Sequence, residues 1–224
     1  MPEELSTLSP VKLARGEVVS LDPEIKICLS GAGHANASQA TQKLIELGAT
    51  KLMSWGCAAA LAPNLKSGDL LITSMIIANG EPIENPSNWA DQISDFLAIE
   101  HSITGFALAS HYGLISSSNE KQRLYTETAA VALDMESAAV ASIARDAKLP
   151  FLAVRAIADP ASMSLPPAIL RALSPEGDVV MGILIKHILS HPWEIPALIK
   201  LGMHFSAAQK TLRVVTKQLK QFSE

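Results

Sequence analysis

The sequence predicts an α/β protein built around a mostly parallel sheet. Short apolar runs alternate with stretches of helical periodicity, which is the pattern of strand–helix–strand units. No internal repeat or low-complexity segment interrupts this alternation. The chain has 224 residues, of which 48% are apolar, enough for one substantial core with at most an appendage.

The first half of the chain contains strands joined by turns and by one clear helix. Gly48 suits the position just after a helix, and residues 56–60 are small enough for a bend. The predicted strands cover residues 25–29, 51–55 and 70–78, and the helix covers residues 36–47.

The second half alternates similarly and then becomes helical. Residues 79–102 indicate a loop followed by a short amphipathic piece, and Pro150 must end the helix before it. Strands are predicted at 103–109, 131–133 and 151–158, and helices at 119–128, 135–147, 166–174, 178–190 and 194–221.

Charge and composition argue against several classes of function. Residues 1–185 carry 12 Lys/Arg and 20 Asp/Glu, a net charge of −8, whereas residues 186–224 carry 6 and 2, a net charge of +4. The main body therefore does not resemble a nucleic-acid binder. Cys28 and Cys57 are expected to be reduced, and no metal-ligand spacing occurs among the histidines. Without a signal peptide or a run of 18 apolar residues, a cytoplasmic protein is expected. No cofactor is expected.

A glycine turn follows the first predicted strand. Backbone N–H groups of Ser30, Gly31 and Gly33 could hold an anion or a sugar hydroxyl. The turn is not a dinucleotide motif, because Asn36 stands where a third glycine is needed. A plain strand-to-helix turn is the alternative.

Acidic residues stand at two further strand ends. Asp134 caps the next helix in one interpretation, and Glu136 in that first turn could bind both vicinal hydroxyls of a ribose. Asp159 ends an apolar strand, where ligands of parallel sheets bind, and its burial would raise its pKa and suit a general acid. For Arg155, within that strand, a structural ion pair is favoured.

Together, these stretches resemble the nucleoside phosphorylase/nucleosidase superfamily, in order across residues 25–160. The resemblance implies a three-layer α/β/α fold with a central mixed, mostly parallel sheet over residues 1–165, and a helical C-terminal extension over 166–224 packed on it. Within the superfamily, the chain is similar to the bacterial hopanoid-associated phosphorylase group, whose members are thought to remove adenine from adenosylhopane. The matching segments are 30–37, 54–63, 68–69, 133–138 and 155–159. Two features point to the group, namely 54–56 with the continuation 61–63, and the long helical tail that includes 165–167 and 191–192.

The resemblance implies a role for each site residue. Asp159 would protonate the purine N7 as the C1′–N9 bond breaks, Glu136 would bind O2′ and O3′, and Met135 would pack against the sugar. Glu4 would orient a nucleophilic water, although a solvated acidic terminus is an equal alternative. The Cys57 backbone would join the glycine turn in a pocket for water or for phosphate as co-substrate, and Asp134 and Arg155 would give structural support.

Three departures from the family pattern affect these expectations. The family's first strand should precede Glu4, so either this strand is missing or the native start lies upstream of Met1. Alanines 59 and 60 replace glycines and should narrow the space beside the ribose. Ser54 replaces an anion-binding arginine of one class, which favours hydrolysis, whereas the name of the group favours phosphorolysis.

Several alternatives stay open. The substrate could instead be that of a methylthioadenosine/S-adenosylhomocysteine nucleosidase or a purine nucleoside phosphorylase, or the chain could be a catalytically weakened nucleoside-binding protein. Residues 194–222 form a basic amphipathic helix, which suits either an anionic membrane surface or packing on the chain's own sheet or a partner subunit. The resemblance also implies a homo-oligomer.

Overall fold

A computed structural model describes residues 2–85, 87–97, 102–174 and 179–222, with side chains described to residue 219. Eight strands form one mixed sheet in the order β6-β5-β8-β9-β3-β10-β4-β7, and β1 and β2 form a separate antiparallel pair. The strands are β1 (Val18–Ser20), β2 (Lys26–Cys28), β3 (Leu52–Ala60), β4 (Leu70–Thr73), β5 (Ile76–Ala78), β6 (Glu81–Ile83), β7 (Ser102–Ile103), β8 (Leu108–Ser110), β9 (Ala132–Asp134) and β10 (Phe151–Asp159).

Helices cover both faces of this sheet. One core cluster joins α5 and α2 to one face, and a second joins α3 and α8 to the other. Along β10, Ala153 and Ile157 belong to the first cluster while Leu152 and Val154 belong to the second, so the strand is buried on both faces. The helices are α1 (Pro2–Leu8), α2 (His34–Glu46), α3 (Trp89–Phe96), α4 (Ser118–Thr128), α5 (Ser137–Asp146), α6 (Pro167–Ala172), α7 (Met181–Ser190) and α8 (Ile195–Phe222), with a 3-10 helix at Pro192–Glu194.

The predicted three-layer α/β/α fold with a mixed sheet is confirmed. Strands β3 and β10 pair in parallel at its centre, from Phe151 opposite Leu52 to Asp159 opposite Ala59, with a register shift just before Asp159. Four of the seven strand pairings in the large sheet are parallel and three are antiparallel.

Three element predictions were wrong in detail. The bend expected at residues 56–60 is instead the second half of β3, because Ala59 and Ala60 pair with β9 and stay extended. The predicted strand 70–78 divides into β4 and β5, which lie in different halves of the sheet. The segment 103–109 divides in the same way between β7 and β8.

The N-terminal residues form a helix. Leu5 and Thr7 of α1 are buried, and α1 packs against α8 and β3. The Trp55 indole N–H donates to Thr7 Oγ1 at 3.0 Å, which ties α1 to the central strand. Within the described residues, no strand precedes β1, and α1 brings Glu4 to the sheet.

The C-terminal helices differ in how they are buried. Ala208, Leu212 and Val215 in the second half of α8 are fully buried against the sheet. By contrast, no residue of α7 is buried, and Leu189, Trp193 and Met203 are 79%, 70% and 68% exposed. Within the described ranges, no helix combines the length and apolar character needed to cross a membrane.

Candidate active site

A cavity of about 2140 Å³ lies along β3 and reaches the end of β10. It is far larger than the roughly 300–1,000 Å³ of most small-molecule sites. The structure brings all the predicted site residues to its wall, namely Glu4, Ser30, Gly31, Gly33, Cys57, Asp134, Met135, Glu136, Arg155 and Asp159.

Asp159 is held at the end of β10 by a buried lysine. The Lys121 ammonium donates to Asp159 Oδ2 at 2.5 Å. Asp159 Oδ1 is buried and has no hydrogen-bond partner among the described residues. Burial raises the pKa of Asp159 above its ordinary value, and the positive charge of Lys121 opposes this rise.

Glu136 reaches from the start of α5 to the glycine turn. Its Oε1 accepts a hydrogen bond from the backbone N–H of Gly33 at 2.8 Å. Gly33 has φ +90°, a left-handed conformation that a residue with a side chain rarely adopts, so glycine is what lets this N–H face the carboxylate. Burial, and then the neighbouring charge of Asp134, raise the pKa of Glu136.

Arg155 fixes the segment that carries Glu136. Its guanidinium donates to Asp134 Oδ2 at 2.7–2.9 Å and to the hydroxyls of Ser54 and Ser137 at 2.6 and 3.0 Å. The Asp134 carboxylate also accepts from the backbone N–H of Ser137 at 3.2 Å, at the first residue of α5. Arg155 and Asp134 are both buried, so this ion pair joins β10, β9 and α5 beneath the site.

Glu4 is half-buried and points into the cavity. Its Oε1 accepts from the backbone N–H of Cys57 at 2.7 Å. A side chain at Gly56 would place its Cβ 2.7 Å from this oxygen, so the glycine makes room for the carboxylate. Burial and the nearby Glu4 raise the pKa of the Cys57 thiol, which keeps it neutral and unsuited to act as a nucleophile.

The remaining predicted residues have simpler surroundings. The Ser30 hydroxyl donates to the Gly31 carbonyl at 2.9 Å, and Met135 is half-buried at the wall. Only one of the two alanines expected to narrow the space beside the ribose lies where it could do so. Ala59 lines the cavity, whereas Ala60 is fully buried in the core and its methyl cannot narrow the site.

Two features of the site were not predicted from the sequence. Lys121 was not singled out, yet it is completely buried. It lies one turn before Leu124 and Tyr125, which pack against the core, so helix periodicity places it on the buried face of α4. The second is the apolar extension of the cavity beyond the acidic residues. It is walled by side chains of α6, α7 and α8 and of the segments on either side of α6, namely Leu165, Ile169, Leu170, Leu173, Leu184, Ile188, Leu198, Ile199 and Phe205.

Among the described residues, no group of three or more His, Cys, Asp or Glu side chains is placed to hold a metal ion. The carboxylates instead contact backbone N–H groups, a lysine and an arginine.

Comparisons with known proteins identify a family and similar folds. The model of a family described as the phosphorylase superfamily matches residues 9–100 and 103–168. A 5′-methylthioadenosine/S-adenosylhomocysteine nucleosidase from Tolumonas auensis is 29% identical over 192 residues, covering 73% of this chain and 82% of that protein. One from Staphylococcus epidermidis is 27% identical over 156 residues, covering 61% and 68%.

Solved structures share the fold at lower identity. The 5′-methylthioadenosine/S-adenosylhomocysteine nucleosidase of Helicobacter pylori, in complex with an inhibitor, has a TM-score of 0.69 at 20% identity, covering 100% of this chain and 94% of that one. Futalosine hydrolase from the same organism has a TM-score of 0.68 at 20% identity, covering 98% and 92%.

Proposed function

The chain belongs to the phosphorylase superfamily, and from this membership and its site we propose that it cleaves the N-glycosidic bond of an adenosine-type nucleoside. One observation carries the proposal. Asp159, an acid whose pKa is raised by burial, and Glu136, a carboxylate suited to a ribose diol, line the same cavity. The reaction needs both, because a base must be protonated as it leaves and a sugar must be held while it gains positive charge.

We assign one role to each of the three carboxyl groups that line the cavity. Asp159 donates its proton to N7 of the purine, so the electrons of the C1′–N9 bond leave with a neutral base. The ribosyl group then resembles an oxocarbenium ion, which the nearby Glu136 carboxylate stabilises through the hydroxyls that it binds. Glu4 accepts a proton from the water that attacks C1′, and the product is the free sugar.

We propose water rather than phosphate as the nucleophile. The N–H groups of Cys57 and Gly33, which would bind phosphate, already donate to the carboxylates of Glu4 and Glu136. An anion placed there would meet two negative charges, which disfavours it. The named relatives are nucleosidases, which agrees with hydrolysis.

For the substrate, we propose a nucleoside with a large apolar 5′ substituent, and specifically adenosylhopane. The apolar extension supports this choice, because a nucleoside alone would leave most of the 2140 Å³ unfilled. Aliphatic walls favour an aliphatic group over a polar one. The products would be adenine and a ribosylated hopanoid.

Methylthioadenosine or S-adenosylhomocysteine is the second candidate substrate, favoured by the names of the two relatives. Their 5′ groups are much smaller than the apolar extension. A catalytically weakened nucleoside-binding protein is a weaker candidate, because Asp159, Glu136 and Glu4 are all present at the cavity.

We further propose that the chain contacts an anionic membrane peripherally and forms a homo-oligomer. The expected membrane surface was residues 194–222, but the second half of α8 packs on the sheet. The exposed apolar surface consists instead of α7, Trp193 and the first half of α8, and its exposed charged side chains are Lys186 and Lys200. We call this the hairpin surface. Its helices also wall the apolar extension, so a lipid substrate could enter from the bilayer.

The test is release of adenine from adenosylhopane, methylthioadenosine and S-adenosylhomocysteine, each with and without phosphate. We expect release without phosphate and the highest kcat/KM for adenosylhopane. Asp159→Asn should lower kcat roughly 10²–10⁴-fold, the usual contribution of a general acid. Strict dependence on phosphate would exclude hydrolysis, and a near-wild-type rate for the Asn variant would remove Asp159 from its role.

A further inference from the structure

Lys121 is the most deeply buried charged side chain near the site, and the chemistry so far does not use it. Its exposed fraction is 0%, and it projects from α4, most of whose residues are polar. Besides Asp159 Oδ2, its ammonium donates to the carbonyls of Pro160 at 3.0 Å and Met163 at 2.8 Å. All three ammonium protons therefore have acceptors around the end of β10.

Burial of an ammonium group is unfavourable unless a partner compensates for the lost water. Two carbonyls would satisfy its hydrogen bonds, but only Asp159 supplies an opposite charge in direct contact. Because one of its three contacts is to Asp159, the predicted general acid, Lys121 acts on the reacting group as well as on the segment 160–163.

We propose that Lys121 is a positioning residue that holds Asp159 through Oδ2 and stabilises the carboxylate formed when the proton passes to the leaving base. The inference rests on the proposed function. Before the step, the neutral Asp159 accepts from the ammonium with one oxygen and keeps its proton on the other. When the proton moves to N7, the new carboxylate forms an ion pair with Lys121, which stays protonated throughout.

The electrostatic surroundings of Asp159 agree with this role. The titratable groups that act on it are Lys121 from α4 and His204 from α8, and both lower the pKa of Asp159, against the larger effect of burial. An opposite charge in contact typically lowers a carboxyl pKa by about 1–3 units. Without Lys121, Asp159 would keep its proton to higher pH and would give it up less readily.

The experiment replaces Lys121 by Met and follows two properties. Titration of the Asp159 side-chain carboxyl by ¹³C NMR, assigned with Asp159→Asn, needs no turnover, and we expect its pKa to rise by about 1–3 units. In the pH profile of kcat/KM for adenine release, the alkaline limb should move up by a similar amount, while kcat at neutral pH falls at least about 10-fold.

Three variants make the outcome decisive. Lys121→Gln removes the charge but can still donate to the carbonyls of Pro160 and Met163. It should give the same pKa shift, and it takes the place of the Met variant if that variant does not fold. Lys121→Arg restores the charge and should restore the pKa. Arg123→Met, on the exposed face of α4, should change neither property.

An unchanged Asp159 titration in folded charge-removing variants, or a fall in rate that is equal at every pH, would overturn the inference and leave Lys121 a structural tie. If the wild-type chain releases no adenine, the proposed function fails instead. The NMR titration then still measures the effect of Lys121 on Asp159.

Discussion

At the scale of single residues, the site contains buried carboxyl groups whose ionisation destabilises the folded state. Glu136 is a clear case, because burial and the charge of Asp134 raise its pKa. When a carboxyl group has a higher pKa in the folded state than in the unfolded state, it stabilises the fold at pH values below its pKa in the unfolded state. This stabilisation is lost as the pH rises through its pKa in the folded state. The charged form of Glu136 therefore destabilises the protein at neutral pH.

We expect Glu136→Gln to increase the free energy of unfolding at pH 7 by about 0.5–2 kcal/mol, while abolishing most ribose binding. The glutamine oxygen can still accept from Gly33 N–H, so the local geometry should persist. Urea unfolding across pH measures the difference. It should vanish below about pH 4.3, where the unfolded glutamate is also protonated, and grow above it.

The matched control is Glu81→Gln on the exposed strand β6, which should not show this pH-dependent gain. A Glu136→Gln variant that is less stable than wild type at pH 7 would mean that the charged carboxylate contributes to the fold.

At the scale of elements, α1 and β3 act together. Gly56 lets the Glu4 carboxylate reach the Cys57 N–H, because any side chain at this position would meet that oxygen. We expect Gly56→Ala to displace the carboxylate and lower kcat at least about 10-fold, since a displaced base loses most of its effect. Stability should fall by about 1–3 kcal/mol, because Gly56 has φ +159°, a backbone conformation that strains a residue with a side chain.

Steady-state kinetics and thermal unfolding of Gly56→Ala test this prediction together. Gly182→Ala in α7 is the control, because nothing lies within 4 Å of the added methyl. Wild-type turnover by the Gly56 variant would show that the placement of Glu4 does not matter for the reaction.

The same scale shows what the sequence could and could not predict. Apolar runs and helix periodicity identified β2, α2, α4 and β10, because each has a local pattern that burial and capping impose. The division of residues 70–78 between two halves of the sheet depends on pairing partners far away in the chain, which no local pattern contains.

The candidate site was predicted in part for a similar reason. Asp159 stands at the carboxyl end of β10, where ligands of parallel sheets bind. Glu136 follows β9, which is antiparallel to β3, so its place at the same cavity depends on strand pairing that no local pattern contains. The partners of Lys121 lie 38–42 positions away in the chain, so the periodicity of α4 could not predict them. The exposed apolar face of α7 likewise depends on which elements remain uncovered.

At the scale of the whole molecule, the hairpin surface is held in place by one glutamate. Glu194 accepts from the backbone N–H of Ala168 at 2.8 Å and contacts His187 Nε2 at 2.9 Å, which joins α6, α7 and the 3-10 helix. The surface outside this bridge exposes large apolar side chains beside two lysines, a combination that favours the interface of an anionic bilayer.

We expect the wild-type chain to float with vesicles containing phosphatidylglycerol and much less with pure phosphatidylcholine. The double variant Leu189→Glu/Trp193→Glu should lose most of this binding, because it adds two negative charges and removes two apolar anchors. Methylthioadenosine, if it is turned over, should remain a substrate for the variant, since neither residue is at the polar end of the cavity.

The matched control is Met75→Glu/Phe106→Glu, which makes the same change at exposed apolar residues away from the hairpin surface. Analytical ultracentrifugation of both variants shows whether the hairpin surface binds a membrane or a second copy of the chain. A loss of self-association caused by the Leu189/Trp193 pair alone, with no flotation of wild type, would mean that a second copy of the chain covers this surface.

The two-ended cavity has a consequence for the order in which products depart. Cleavage of the proposed substrate would give adenine and a fragment with a long apolar group, and the aliphatic walls would bind only that fragment. Adenine would then dissociate early and the fragment late. Product inhibition should accordingly be strong with the lipid fragment and weak with the free base, and exit of that fragment would set the pace of each cycle.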